Sequence, residues 1–262
     1  MVRCNLSFVG AGRVAGALCH KLYLSGHKII RISSKSEGRG HTLASEVNAE
    51  WSSEPVFSGG EDVIIVSVPD HVLEVVLKQI KCGKDTLIAH TAGSFGLEVF
   101  PESIKKRGIF YPLQTFTEGR TPDFKGLPFL IESDFEANET ILRELALSTG
   151  ASTYKIDAGK RKQLHLAAVF VNNFTNHLLT LGKEISETTG LPFSVLEPLV
   201  KETVEKALAN GPENSQTGPA IRNDQNTIIK HLELLSFSPD LKELYEYLTR
   251  SITEHYNKKI NG

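Results

Sequence analysis

The sequence predicts an α/β fold, a doubly wound and mostly parallel sheet followed by an all-helical C-terminal domain. Short apolar runs alternate with helix-length segments through the first part of the chain, and a glycine turn joins the first run to the first helix. After about Tyr154 no strand-like run recurs.

Cys4 to Val9 is short and mostly apolar, as a strand; Gly10-Ala11-Gly12 breaks it, and Val14 to Leu24 has helical composition. Ser25-Gly26 ends that helix, and His27 to Ile32 supplies a second strand. Asp62 to Val68 is a continuous apolar and β-branched run, the pattern of a strand covered on both faces, and Pro69 stops it. Thr86 to Ala89, Gly108 to Leu113 and Pro128 to Ile131 are further strand candidates. From Ala158 onward the segments have helix length, broken at Gly190-Leu191-Pro192 and around Asn210-Gly211-Pro212. The expected division falls near 155, giving domains 1–155 and 156–262.

Composition narrows the function. The 262 residues carry 29 Lys plus Arg against 31 Asp plus Glu, and 40% are hydrophobic, which excludes disorder, collagen and coiled coil. Basic residues are scattered, so nothing marks a surface for nucleic acid or an anionic membrane. Cys4, Cys19 and Cys82 form no C-x-x-C pair and fit a reducing compartment as small core residues. The N-terminal stretch lacks a signal-peptide apolar region, and no run approaches the ~18 residues of a membrane span. A soluble, cytoplasmic protein is expected. The nine histidines show no metal-ligand spacing, so no metal is expected.

Gly10-x-Gly12-x-x-Ala15-Gly16 follows the first strand directly and opens the first helix, the context that gives a glycine motif meaning. Gly10 permits the tight turn, Gly12 admits a pyrophosphate against the backbone, and Ala15 lets the helix pack closely on the sheet. With Ala11, Arg13 and Val14 these residues form the expected dinucleotide site of a Rossmann-like domain. NAD-selective proteins place an acidic residue after the second strand. Here Ser33-Ser34-Lys35-Ser36 stands instead, with Arg39 nearby, offering hydroxyls and a cation to a 2′-phosphate; NADP is therefore expected over NAD. Ligands gather beyond the carboxyl ends of strands, so Val68, Pro69, His90 and Thr91 are expected to line the cofactor and Ser94 the substrate. Asp70 reads as a helix-start residue with a capping role.

Taken in order, Gly10-Ala11-Gly12-Arg13-Val14-Ala15, Val68-Pro69-Asp70, His90-Thr91-Ala92-Gly93-Ser94, Tyr111 to Phe116, Leu164 to Asn173 and Thr217 to Asp224 resemble a bacterial family of NADP oxidoreductases. That family has a Rossmann-like N-terminal domain and a helical C-terminal domain of unassigned function. The N-terminal half is similar to deazaflavin-dependent NADP reductases and pyrroline-carboxylate reductases, and the two-domain plan to ketopantoate reductase and the β-hydroxyacid dehydrogenases. The resemblance implies NADP(H)-dependent hydride transfer to a small 2-oxo acid such as ketopantoate, or to a cyclic imine, in a cleft between domains. Tyr111 stands where the family often has His, and Asn223 where it often has Gly.

Leu164 to Leu181 is apolar around most of a helical circumference, as a helix buried in a domain or dimer core would be. At ~100° per residue from His165, Asn172 falls near −20°, Asn176 near 20° and Asn173 near 80°, a polar stripe with Asn173 at its margin. His165 is the candidate general acid and Asn173 the orienting residue, with Asn172 and Asn176 as substrate contacts. Counting back four from Asn173 gives Val169, so the lysine that β-hydroxyacid dehydrogenases place one turn before their asparagine is absent. A non-catalytic NADP-binding sensor is the alternative which that absence leaves open. Lys160-Arg161-Lys162 reads as a solvated charge run, Arg222 as a clamp for a substrate carboxylate, and Asp224 as the cap of a helix from about Gln225. The helix expected at 160–189 would also build a homodimer.

Overall fold

The computed structural model describes residues 3–260. Met1 and Val2, where the signal-peptide reading begins, lie outside them. The chain divides into two compact units, residues 1–178 and 179–262.

The first unit is built on an eight-stranded sheet. In chain order its elements are β1 (Asn5–Val9), α1 (Arg13–Leu24), β2 (Lys28–Ser33), α2 (Glu37–Glu46), β3 (Glu50–Ser52), β4 (Val63–Val66), α3 (Asp70–Gln79) and β5 (Leu87–His90). There follow β6 (Arg107–Pro112), β7 (Pro128–Ser133), α4 (Glu136–Ser148), β8 (Ser152–Lys155), α5 (Ala158–Ala168), a π-helical segment (Val169–Phe174) and the start of α6 (Thr175–Glu187). The order is β3-β2-β1-β4-β5-β6-β7-β8, and every neighbouring pair is parallel except β6 and β7. This is the Rossmann-like, mostly parallel sheet that the alternation predicts. The order reverses at β1 and β4, so their carboxyl ends open the crevice where such folds bind ligands.

The β-branched run of β4 has its predicted cause. Val63 and Ile65 pack with Leu18 and Leu22 of α1, while Ile64 and Val66 pack with Leu73 and Leu77 of α3. Each is at most 1% exposed, contributing about 1.5–3 kcal/mol of transfer free energy per side chain. Ala15 is fully buried, which allows the close approach of α1. Cys19 is buried and Cys4 and Cys82 are half-buried, all three as free thiols.

The second unit is helical: the remainder of α6, α7 (Glu197–Asn210), α8 (Gln225–Leu234) and α9 (Pro239–Ile260). The Asp224 carboxylate accepts the Thr227 N–H and caps α8, as expected. The sheet ends at Lys155, and the first compact unit continues through α5 and the π segment to residue 178. Among the described residues no helix is long and apolar enough to cross a membrane.

One expectation fails at the long helix: it is not one helix of 3.6-residue pitch, because the π segment interrupts it at Val169. Of the two cores offered for it, the one within the chain does not cover it, since Leu166 is 58%, Phe170 59% and Val171 74% exposed.

Candidate functional site

The β1–α1 turn is fixed by backbone geometry. Gly10 has φ +112°, its N–H donates to the Ser33 carbonyl at 2.7 Å, and a Cβ there would stand 2.1 Å from the Ser67 carbonyl oxygen. Gly12 precedes the first turn of α1 as its N-cap, with no side chain capping the free N–H groups. A Cβ on Gly12 would meet nothing within 4 Å. The turn is therefore a cradle of unsatisfied amides beside open space, which fits a pyrophosphate.

A pocket of about 1460 Å³ extends from this cradle. That is more than the usual few hundred to ~1,000 Å³ of a small-ligand site, and suits a dinucleotide with a small substrate beside it. Of the expected cofactor residues, Gly10, Ala11, Gly12, Arg13, Val14, Ser33, Ser34, Lys35, Val68, Pro69 and Thr91 line it. The Ser34 hydroxyl is already engaged, donating to the Ser36 carbonyl at 3.0 Å and accepting from the Trp51 indole at 3.2 Å. Lys35 is exposed, and Arg39, which lines the pocket, holds Ser36 Oγ through Nε at 3.3 Å. Lys35, Ser36 and Arg39 line the pocket beside Ser34.

His90 has a different role from the expected one. Its ring is fully buried, stacks on Phe100 at 5.3 Å and does not line the pocket. Nδ1 accepts the Ala92 N–H at 3.2 Å, which leaves the proton on Nε2 to meet the Gly96 carbonyl at 3.4 Å. Burial pushes its pKa down to about 4, so it is a neutral brace for the loop after β5. Asp70 is also reassigned. It stands in the first turn of α3 but makes no cap; its carboxylate accepts the hydroxyl of Ser94, which lies beside the pocket without lining it.

That loop leads to a pair the sequence reading did not find. Tyr111, on β6, and His165, on α5, both line the pocket, with Tyr111 Oη 2.9 Å from His165 Nδ1 and the rings edge to face at 5.9 Å. Gly93 lies beneath them: a Cβ there would come within 2.8 Å of Tyr111 Cζ and 2.9 Å of His165 Nδ1. Burial, and then the Asp70 carboxylate, push the Tyr111 phenol upward. In the sequence Tyr111 opens one of the segments that carry the family resemblance and departs from the His often found there, with no sign of its partner.

Asn172 and Asn173 line the same wall and Asn176 does not. The π segment, Val169–Phe174, winds about one extra residue into its turn, so Asn176, which lies beyond it, falls back by roughly 100° and leaves this wall. Arg161 corrects the solvated charge run: it is fully buried, paired with the Glu132 carboxylate and donating to the Phe95 carbonyl at 2.6 Å. Lys160 and Lys162 remain exposed. Arg222 is exposed in the second unit, where Asn223 holds φ 53°, the left-handed conformation that suits the glycine common there in the family. Among the described residues no group of three His, Cys, Asp or Glu is arranged to hold a metal ion.

A glycine-cradled crevice at the strand-order switch, with a tyrosine–histidine pair on its wall, defines a nucleotide-dependent oxidoreductase site. Residues 5–93 match the family described as NADP oxidoreductase, coenzyme F420-dependent, and residues 127–252 match a domain of unknown function, DUF2520. A candidate NADP oxidoreductase from Bacteroides fragilis is 37% identical, with 96% of this chain and 98% of that one covered and a TM-score of 0.86. The chain belongs to this family of NADP-dependent oxidoreductases. The Thermotoga maritima protein TM1727 is 26% identical over 95% of this chain and 98% of its own, at a TM-score of 0.80. A 1-pyrroline-5-carboxylate reductase from Streptococcus pyogenes shares the fold at 15% identity, with 96% and 99% covered and a TM-score of 0.60. Among curated proteins, none matches the chain.

Proposed function

We propose that the pocket reduces a small carbonyl or imine compound with NADPH, and that His165 is its general acid. The observation that carries this reading is that the Tyr111–His165 pair and the Gly10–Gly12 cradle line one pocket. When bound, the reduced nicotinamide supplies a hydride to the carbon of the C=O or C=N bond. The amides at Gly12 and Arg13 hold the pyrophosphate, Lys35, Ser36 and Arg39 select the 2′-phosphate, and Val68, Pro69 and Thr91 line the remainder of the nucleotide. His165, as the imidazolium, gives its proton to the oxygen or nitrogen as the double bond is reduced, while Asn172 and Asn173 orient the substrate.

The lining favours the imine over the 2-oxo acid. Its Lys and Arg residues, Arg13, Lys35 and Arg39, all stand on the nucleotide turns, and Asp70 stands near Tyr111. A 2-oxo acid such as ketopantoate brings a carboxylate that needs a cation in the lining; a neutral cyclic imine without a carboxylate has no such need. We further place the enzyme in the cytoplasm, on its three free thiols, and assign it a homodimer through the apolar faces of its C-terminal helices.

Loss of NADPH absorbance with a panel of 2-oxo acids and cyclic imines tests the assignment. Turnover of a cyclic imine is expected, and His165→Ala is expected to lower kcat about 10²–10⁴-fold while leaving NADPH binding, read from Trp51 fluorescence, unchanged. Saturable NADPH binding with no turnover on any panel member would establish the sensor instead.

A further inference from the structure

We infer that Tyr111 is the positioning residue of the proton-transfer step: it holds Nδ1 of His165 inward, so that Nε2 carries the transferable proton. This rests on the reductase reading above. Three features of the fold bear on it. Tyr111 Oη is 2.9 Å from Nδ1, and among the described residues Nε2 has no partner. Both residues are half-buried where they line the pocket. Gly93 supplies the seat, since any side chain there would occupy the space of Tyr111 Cζ and His165 Nδ1.

The phenol has two ways to serve the imidazole, and they differ in where charge ends up. In a relay, Nε2–H passes to substrate while Tyr111 gives its proton to Nδ1 and becomes a phenolate. Burial and the neighbouring Asp70 carboxylate both oppose that anion. In the other arrangement His165 starts as the imidazolium, with Nδ1–H donated to Tyr111 Oη and Nε2–H directed to substrate. With hydride supplied to the carbon as above, His165 would give its Nε2 proton to the π pair of the C=O or C=N bond and remain neutral, with Nδ1–H still held by a neutral phenol. Solvent then restores the Nε2 proton. Tyr111 keeps its proton throughout and acts through His165.

Imidazole C–H and ¹⁵N resonances of the NADP⁺-saturated protein, with His165 assigned from His165→Ala, test this without any turnover. In Tyr111→Phe the ¹⁵Nδ1 resonance of His165 is expected to move, because Nδ1 loses its hydrogen-bond partner, and the two ring nitrogens to approach one another in shift as the tautomers mix. Gly93→Ala, which intrudes on the same contact, is expected to move them likewise. With whichever panel compound is reduced, Tyr111→Phe is expected to lower kcat about tenfold and to leave KM for NADPH unchanged, with partial recovery in Tyr111→His. Unmoved ring-nitrogen resonances in both variants, or moved resonances with an unaltered kcat, would overturn the assignment. If the wild type reduces nothing on the panel the reductase reading fails, and the resonances alone still decide whether Tyr111 governs His165.

Discussion

At Gly10 an added Cβ would strike the Ser67 carbonyl, whereas at Gly12 it would enter open space, although the two glycines belong to one motif. Their substitutions should therefore separate. Gly10→Ala forces a positive φ and a backbone clash together, and is expected to cost about 2–4 kcal/mol in urea unfolding. Gly12→Val is expected to unfold within about 1 kcal/mol of wild type, yet to lose the Trp51 signal of NADPH binding. The 2′-phosphate reading divides similarly: Lys35→Glu should weaken NADPH about tenfold or more, by one charge-assisted contact and an added repulsion, and leave NADH within a factor of a few. At this scale the cradle was legible because its residues are local in sequence. The Tyr111–His165 contact spans 54 positions, and no spacing rule reaches it.

Between residues and fold, the wall carrying His165 is held by a buried ion pair. Arg161 precedes His165 by one helical turn, and its side chain ties α5 to Glu132 on β7 and to Phe95 in the loop that seats the Tyr111–His165 pair. The two partners are unequally buried: Arg161 is fully enclosed, while the Glu132 side chain is 22% exposed. Removing the carboxylate leaves an enclosed guanidinium with the Phe95 carbonyl and no counter-charge, while removing the arginine leaves a carboxylate that water can reach. Glu132→Ala is therefore expected to cost about 3–5 kcal/mol and Arg161→Leu distinctly less, as urea midpoints will show. Sequence placed Arg161 in a solvated run because Lys160 and Lys162 flank it, and a triplet of cations carries no sign of which one turns inward. The edge strands β3, Glu-Trp-Ser, and β8, Ser-Thr-Tyr-Lys, went unread for a related reason: they are short and half-polar, without the β-branched run that revealed β4. The π segment was equally hidden, since composition does not reveal a change of pitch.

Across the whole molecule, two buried histidines make stability depend on pH. His90 and His27 are each at most 5% exposed, and burial lowers both pKa values, with Arg3 adding to the effect at His27. The unfolded chain protonates them below about pH 6.5, and folded His90 resists protonation down to about 4. Between those limits the unfolded state binds more protons, so stability is complete above the upper limit and falls with pH toward the lower one. His90 alone accounts for about 3 kcal/mol. Urea midpoints across this window should decline, and more shallowly in His90→Gln.

The helices of the second unit raise the other question at this scale. Leu199 and Leu208 on α7 are 63% and 83% exposed, and Leu234 at the end of α8 is 73% exposed, an apolar display larger than scattered surface residues explain. α7 has no buried side chain and no side-chain cap at its N-terminus, so little packing supports a helix of a length that holds only marginally in water. A second copy of the chain would supply the missing burial. Light scattering at micromolar concentration is accordingly expected to give twice the chain mass, and Leu199→Glu with Leu208→Glu to give the single mass or a loss of α7 helicity by circular dichroism. A wild-type chain that stays monomeric with all its helices intact would mean that α7 needs no partner, and the homodimer would have to be abandoned.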